Sequence, residues 1–143
     1  MLFRNCAGGI VFNGDSVFIL QNEKHEWVLP KGVIRNGAHA SEVALKRVLE
    51  EGGINAKIIA PAGETSYEFY SYSRQQPVCN KITWFVMDTD QTDYRVNCEE
   101  GFLDGGFYPI QEAIEKITYS QDKSLVRVAY RKIAKILEME KGA

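Results

Sequence analysis

What this chain of 143 residues lacks narrows it first. It has no excess of positive charge: 17 Lys and Arg stand against 19 Asp and Glu, for a net charge of -2. No broad basic field exists to hold nucleic acid nonspecifically, so nucleic acid is not an expected partner. An anionic ligand would need local positive charge or a bound cation. Cysteine is scarce, and Cys6, Cys79 and Cys98 lie far apart with no Cys-x-x-Cys pair. That argues against a disulfide framework or a zinc site and for reduced thiols in a cytoplasmic protein. No apolar run reaches the span of a membrane helix, and Met1-Leu2-Phe3-Arg4-Asn5 is too short and polar to be a signal peptide.

What is present is a composition of 45% hydrophobic and 25% charged residues. A chain of this size and balance is expected to form a single domain over 1–143, with a core that needs no disulfide or structural metal. "CAGGIVF" and "SVFILQ" flank Asn13-Gly14-Asp15, a hairpin pattern. "WVL" is a short extended piece ended by Pro30, followed by a glycine-bearing loop. "AHASEVALKRVLEEGG" predicts a helix closed by Gly52-Gly53. "INAKIIA", "TSYEFYSYS" and "KITWFVMD" read as three strands, the last two joined by the loop "RQQPVCN". "TDQTDYRVNCEEGFLDGG" is a long acidic loop, and loops of that length in a small domain are more often functional than idle. "FYPI" is a short strand or turn and "QEAIEKI" a short helix. Ser120 caps a last helix in which Leu125, Val126, Val128, Ala129, Ile133 and Ile136 recur near helical spacing. The order β-β-β-α-β-β-β-α-α predicts a mixed sheet packed between helices.

On the first helix, Ala44, Leu45, Val48 and Leu49 share an arc that would face the core, while Arg47, Glu50 and Glu51 fall on a neighbouring arc. Two adjacent carboxylates looking toward a glycine loop suit magnesium or manganese. Arg47 also stands three and four residues before them, where it can simply pair with both.

The stretch Leu29 to Ile54, "LPKGVIRNGAHASEVALKRVLEEGGI", resembles the Nudix box, Gx5Ex7REUxEExGU with U aliphatic. Gly32, Val48, Glu50, Glu51, Gly53 and Ile54 match six of its nine specified positions. Lys46 replaces the arginine, Ala38 the first glutamate and Arg47 the glutamate that follows the arginine. "AGGIVF", "WVLPKG" and the C-terminal "EEGFLDGGFYPIQEAIEKITYSQDKSLV" are similar to the diadenosine-polyphosphate-hydrolase-like branch of that family, so the resemblance spans nearly the whole chain.

The resemblance implies an α/β fold, an α/β/α sandwich around a mixed sheet. It implies a hydrolase of a nucleoside diphosphate linked to another group, using Mg2+ or Mn2+. Carried over by position, Glu50, Glu51 and the Gly32 backbone would hold the metal. Lys31, Lys81 and Arg47 would grip phosphates, and Trp27 and Tyr119 would stack a base or shape the cleft. A guanidinium is neither a base at neutral pH nor a cation ligand, so Arg47 removes a carboxylate that the chemistry uses. Glu99 and Glu100 are candidates to replace it, with Asp88, Asp90, Asp93 and Asp104 weaker ones. His25 and His39 have no evident role. Two readings follow: a hydrolase of reduced activity, or an inactive domain that binds a phosphorylated ligand or a protein partner. Monomer and homodimer are both compatible with the sequence.

Overall fold

The computed structural model describes residues 1–141. β1 (Leu2–Asn13) and β2 (Ser16–Gln21) form the expected hairpin, turned at Gly14, whose φ of 57° is left-handed and disfavours any side chain. β3 (Trp27–Val28) follows. The glycine-bearing loop beyond Pro30 contains a strand not expected from the sequence, β4 (Lys31–Val33), which pairs with β1 and sets Gly32 opposite Ala7. α1 (Ala40–Gly52) starts after the predicted Ala38 and ends where the glycines indicate: Gly53, at φ 67°, donates its N–H to the Leu49 carbonyl at 2.9 Å.

The largest difference from the sequence reading is in the next segment. "INAKIIA" and "TSYEFYSYS" are not two strands but one, β5 (Lys57–Ser71), while Ile54–Ala56 lie outside it. Pro61 and Gly63 lie between the two expected strands, and two register shifts against the neighbouring strand absorb them. β5 is an edge strand, where a missing proline N–H is tolerated, and Gly63 takes a φ of 111° at the irregularity. β6 (Gln76–Asp88) likewise begins inside the supposed loop "RQQPVCN". After it come β7 (Asp104–Pro109), α2 (Ile110–Lys116) and α3 (Ser120–Lys141). Ser120 is the first helical residue rather than the cap, since Lys123 N–H donates to the Tyr119 carbonyl.

The sheet runs β3-β2-β1-β6-β5, with β4 on β1 and β7 on β2. β1 and β6 are parallel and the other pairings antiparallel, so the sheet is mixed. It divides the core. One layer joins Ile10, Phe12, Ile82 and Trp84 to Ala113, Ile114, Val126 and Ala129 of α2 and α3. The other joins Val11, Phe18, Leu20 and Met87 to Ala44 and Val48 of α1. This is the expected α/β/α sandwich. Leu49 departs from expectation at 46% exposed, and Val128 at 49%. α1 buries Ala44 and Val48 as expected, and Glu51 rather than Leu49, at i, i+4 and i+7.

Candidate active site

The second half of α1 is fastened to the segment between β6 and β7. A helix end leaves its last carbonyls without helical partners. Here the Glu51 and Gly52 carbonyls accept from the backbone N–H groups of Asn97 and Arg95, and Asn97 Nδ2 donates to the Glu50 carbonyl at 2.9 Å. Asn97 Oδ1 accepts from the N–H groups of Glu99 and Glu100, forming the turn that starts a short 3-10 segment, Cys98–Glu100. One asparagine thus sets Glu100 beside α1.

Glu50, Glu51 and Glu100 converge on Arg47. Its Nε lies 2.9 Å from Glu51 Oε2, its Nη1 2.8 Å from Glu50 Oε2 and its Nη2 3.4 Å from Glu100 Oε2. The simple pairing allowed by the i, i+3 and i, i+4 spacing is therefore formed, and it runs from solvent-facing Glu50 and Glu100 into the buried Glu51. Glu51 is 2% exposed. Burial pushes its pKa up to about 7, against the pull of Arg47. Burial also works against the charge on Arg47, yet Glu51 and Glu100 outweigh it and hold that pKa above the ordinary value. Lys46 adds a looser contact to Glu50 at 3.7 Å.

Magnesium or manganese at Glu50, Glu51 and Gly32 was the expectation. Among the described residues no three His, Cys, Asp or Glu side chains are placed to hold a metal ion. The carboxylate oxygens that would serve already accept from a guanidinium, and a cation beside Arg47 would be repelled. The side chains as placed do not fit a divalent ion on α1. Gly32 has another evident task. A Cβ there would meet Arg47 Cδ at 2.6 Å and Cγ at 2.7 Å, so the arginine stem lies across the bare backbone of β4.

A cleft of about 770 Å³ opens beside this cluster and is large enough for a dinucleotide-sized ligand. Lys24 and Lys31 line it together with five carboxylates, Glu100 among them. Lys31 lowers the carboxyls of Glu26, Glu51 and Asp122, though burial dominates at the last two and raises them. Tyr119 lines the cleft and donates its hydroxyl to Glu26, which pushes the tyrosine pKa up to about 12 and lowers that of Glu26.

The other expected residues lie outside this cleft. Trp27 packs edge-on against Tyr108 at 5.6 Å, with Lys116 Nζ 4.9 Å from its ring. Lys81 sits on β6 with a side chain 57% exposed, 3.4 Å from Glu64. Glu99 is exposed, and its backbone rather than its side chain is engaged by Asn97. Sequence reasoning missed the aromatic floor. Tyr67 and Phe69 stack at 5.9 Å and 29°, and Trp84 lies beside them with Nε1 donating to Thr65 at 2.8 Å. The alternation in "TSYEFYSYS" was the available signal, since residues two apart on a strand share a face. Asn97 and Asp122 carried no such signal.

The Nudix domain matches residues 2–128. MutT4 of Mycobacterium tuberculosis is 28% identical over 115 residues, covering 77% of this chain and 43% of that protein. This chain therefore spans less than half the length of that relative. The Ap4A hydrolase of C. elegans, solved as a binary complex, superposes with a TM-score of 0.70 at 18% identity, over 92% of this chain and 98% of its own. The Nudix domain of NrtR from Shewanella oneidensis, solved with ADP-ribose, superposes with a TM-score of 0.73 at 12% identity, over 93% and 90%. The chain belongs to the Nudix family. Among the described residues no helix is long and apolar enough to cross a membrane.

Proposed function

We propose that this domain is a pyrophosphohydrolase of reduced activity that cleaves a nucleoside diphosphate linked to another group. The observation that carries the reading is the cleft, which joins a stacked aromatic pair, Tyr67 and Phe69, to Lys31 and Glu100 at the edge of the Nudix helix. Base and phosphates have chemically distinct ends to occupy. In this reading Lys31 neutralises phosphate oxygens. Water adds to phosphorus, the bridging P–O bond breaks, and Glu100 takes the water's proton. Glu100 is the only member of the Arg47 cluster that also lines the cleft, which makes it the better base than Glu50 or Glu51. Magnesium or manganese, where the family uses it, supplies charge neutralisation on the phosphates. A cytoplasmic setting belongs to the same reading.

The ion pairs of Arg47 favour a second reading, a domain that binds such a ligand without cleaving it. Product release from ADP-ribose, diadenosine polyphosphates and nucleoside triphosphates, with and without magnesium, separates the two. Slow turnover lost in Glu100→Gln supports the hydrolase. Saturable binding with no turnover above a boiled control overturns it and leaves the binder.

A further inference from the structure

Three carboxylates that meet near one point need a positive charge between them. At this site that charge is already part of α1. Arg47 donates to Glu50, Glu51 and Glu100 together, and the last of these belongs to the segment between β6 and β7. Two features keep the guanidinium there. Its stem crosses Gly32, where even a methyl group would collide with Cγ and Cδ. Glu51, at 2% exposed, would be left buried and unpaired if the arginine swung out.

From this geometry we infer that Arg47 is the resident cation of the site. It ties the Glu100 segment to α1 by an ion pair at 3.4 Å, and the α1 carboxylates take up no free divalent ion. A divalent ion reaches this domain only with the phosphates of its ligand. The inference rests on the reading of the cleft as a phosphate site, but it concerns the protein before any ligand arrives.

Calorimetric titration with Mn2+ alone tests it, because no substrate or turnover is involved. The wild-type protein is expected to show no Mn2+ uptake that depends on Glu50 and Glu51. Uptake by the wild type that disappears in E50Q/E51Q overturns the inference. Arg47→Glu is expected to create a site, tightening Mn2+ by more than about tenfold in Kd over any residual uptake by the wild type. A folded Arg47→Glu protein with no tightening also overturns it. Should that variant fail to fold, Arg47→Gln frees the same carboxylates and is expected to tighten Mn2+ in the same direction; the wild-type titration decides alone if neither folds. Absence of hydrolysis in the product assay would sink the hydrolase reading and leave this result standing, and the converse holds equally.

Discussion

In the charged cluster beside the cleft, Arg47, Glu50 and Glu51 come from little more than one turn of a single helix, and the segment carrying Glu100, which does line the cleft, is sewn to that helix by Asn97. At the aromatic end, Tyr67 and Phe69 come from β5, Trp84 from β6 and Tyr119 from the turn before α3. The first group is held by ion pairs in a partly dry place. The second is held by strand register and side-chain hydrogen bonds: only Trp84 is buried, while Tyr67, Phe69 and Tyr119 are exposed, the Tyr67 hydroxyl accepting from the buried Asn80 amide at 2.8 Å. The contrast teaches that the two ends fail differently. Loss of Arg47 leaves the buried Glu51 unpaired, loss of Trp84 costs core and cleft together, and loss of the Tyr67 or Phe69 ring costs the cleft alone.

The sharpest way to break this contrast is Trp84→Ala. Removing a buried aromatic costs about 3–5 kcal/mol, read as a lowered urea midpoint, and the lost hydrogen bond to Thr65 adds to it. An effect below that of a surface substitution would show that the floor is not part of the core. Next is Tyr67→Ala. Base stacking contributes about 1–3 kcal/mol per base, so binding of whichever nucleotide the product assay selects should weaken roughly 5- to 150-fold in Kd. Tyr67→Phe should bind nearly as well as wild type but lose stability, because the Asn80 amide is left unpartnered. Equal binding losses in both variants would assign the hydroxyl, not the ring, to recognition.

Asn97→Ala addresses the charged end. Loss of a capping side chain costs about 0.5–2 kcal/mol, and protection of the Glu99 and Glu100 amides against hydrogen exchange should fall. Unchanged exchange would mean that Arg47 alone orders the segment. The smallest effect is expected from Tyr119→Phe, which removes the bond to Glu26. That bond lowers the Glu26 pKa, so its stabilisation is complete above 4.5 and is lost as pH falls through the depressed value. Tyr119 itself, raised from 10.0 to about 12, loses its share as pH rises across that interval. The wild-type advantage over the variant should therefore be flat near neutrality and vanish at both extremes.

How far these features were legible follows from their spacing. The hairpin at Gly14, the end of α1 at Gly53 and the Arg47–Glu50–Glu51 arc depend on residues within a few positions of one another, and each was readable. β5 was not, because Pro61 and Gly63 look like a stop, and only pairing with β6 shows that the ladder continues past them. Burial of Glu51 in place of Leu49 was hidden for a related reason. Helical periodicity places both near the core face, and the covering segment that decides between them lies more than forty residues further along the chain. The aromatic floor needed the register of β5 on β6, Ser66 opposite Lys81 and Tyr67 opposite Asn80, which no local pattern encodes.

The parallel ladder of β1 on β6 joins Leu2 to Val78 and continues to Phe12 against Asp88. During synthesis the first strand leaves the ribosome long before its central neighbour exists. Closing that distance is an entropic toll on the rate of folding rather than on final stability. Until residue 88 emerges, the side of β1 destined for β6 is an open template for pairing with the wrong chain. Conditions that slow elongation within residues 14–88 should therefore lower soluble yield more than the same delay placed in α3.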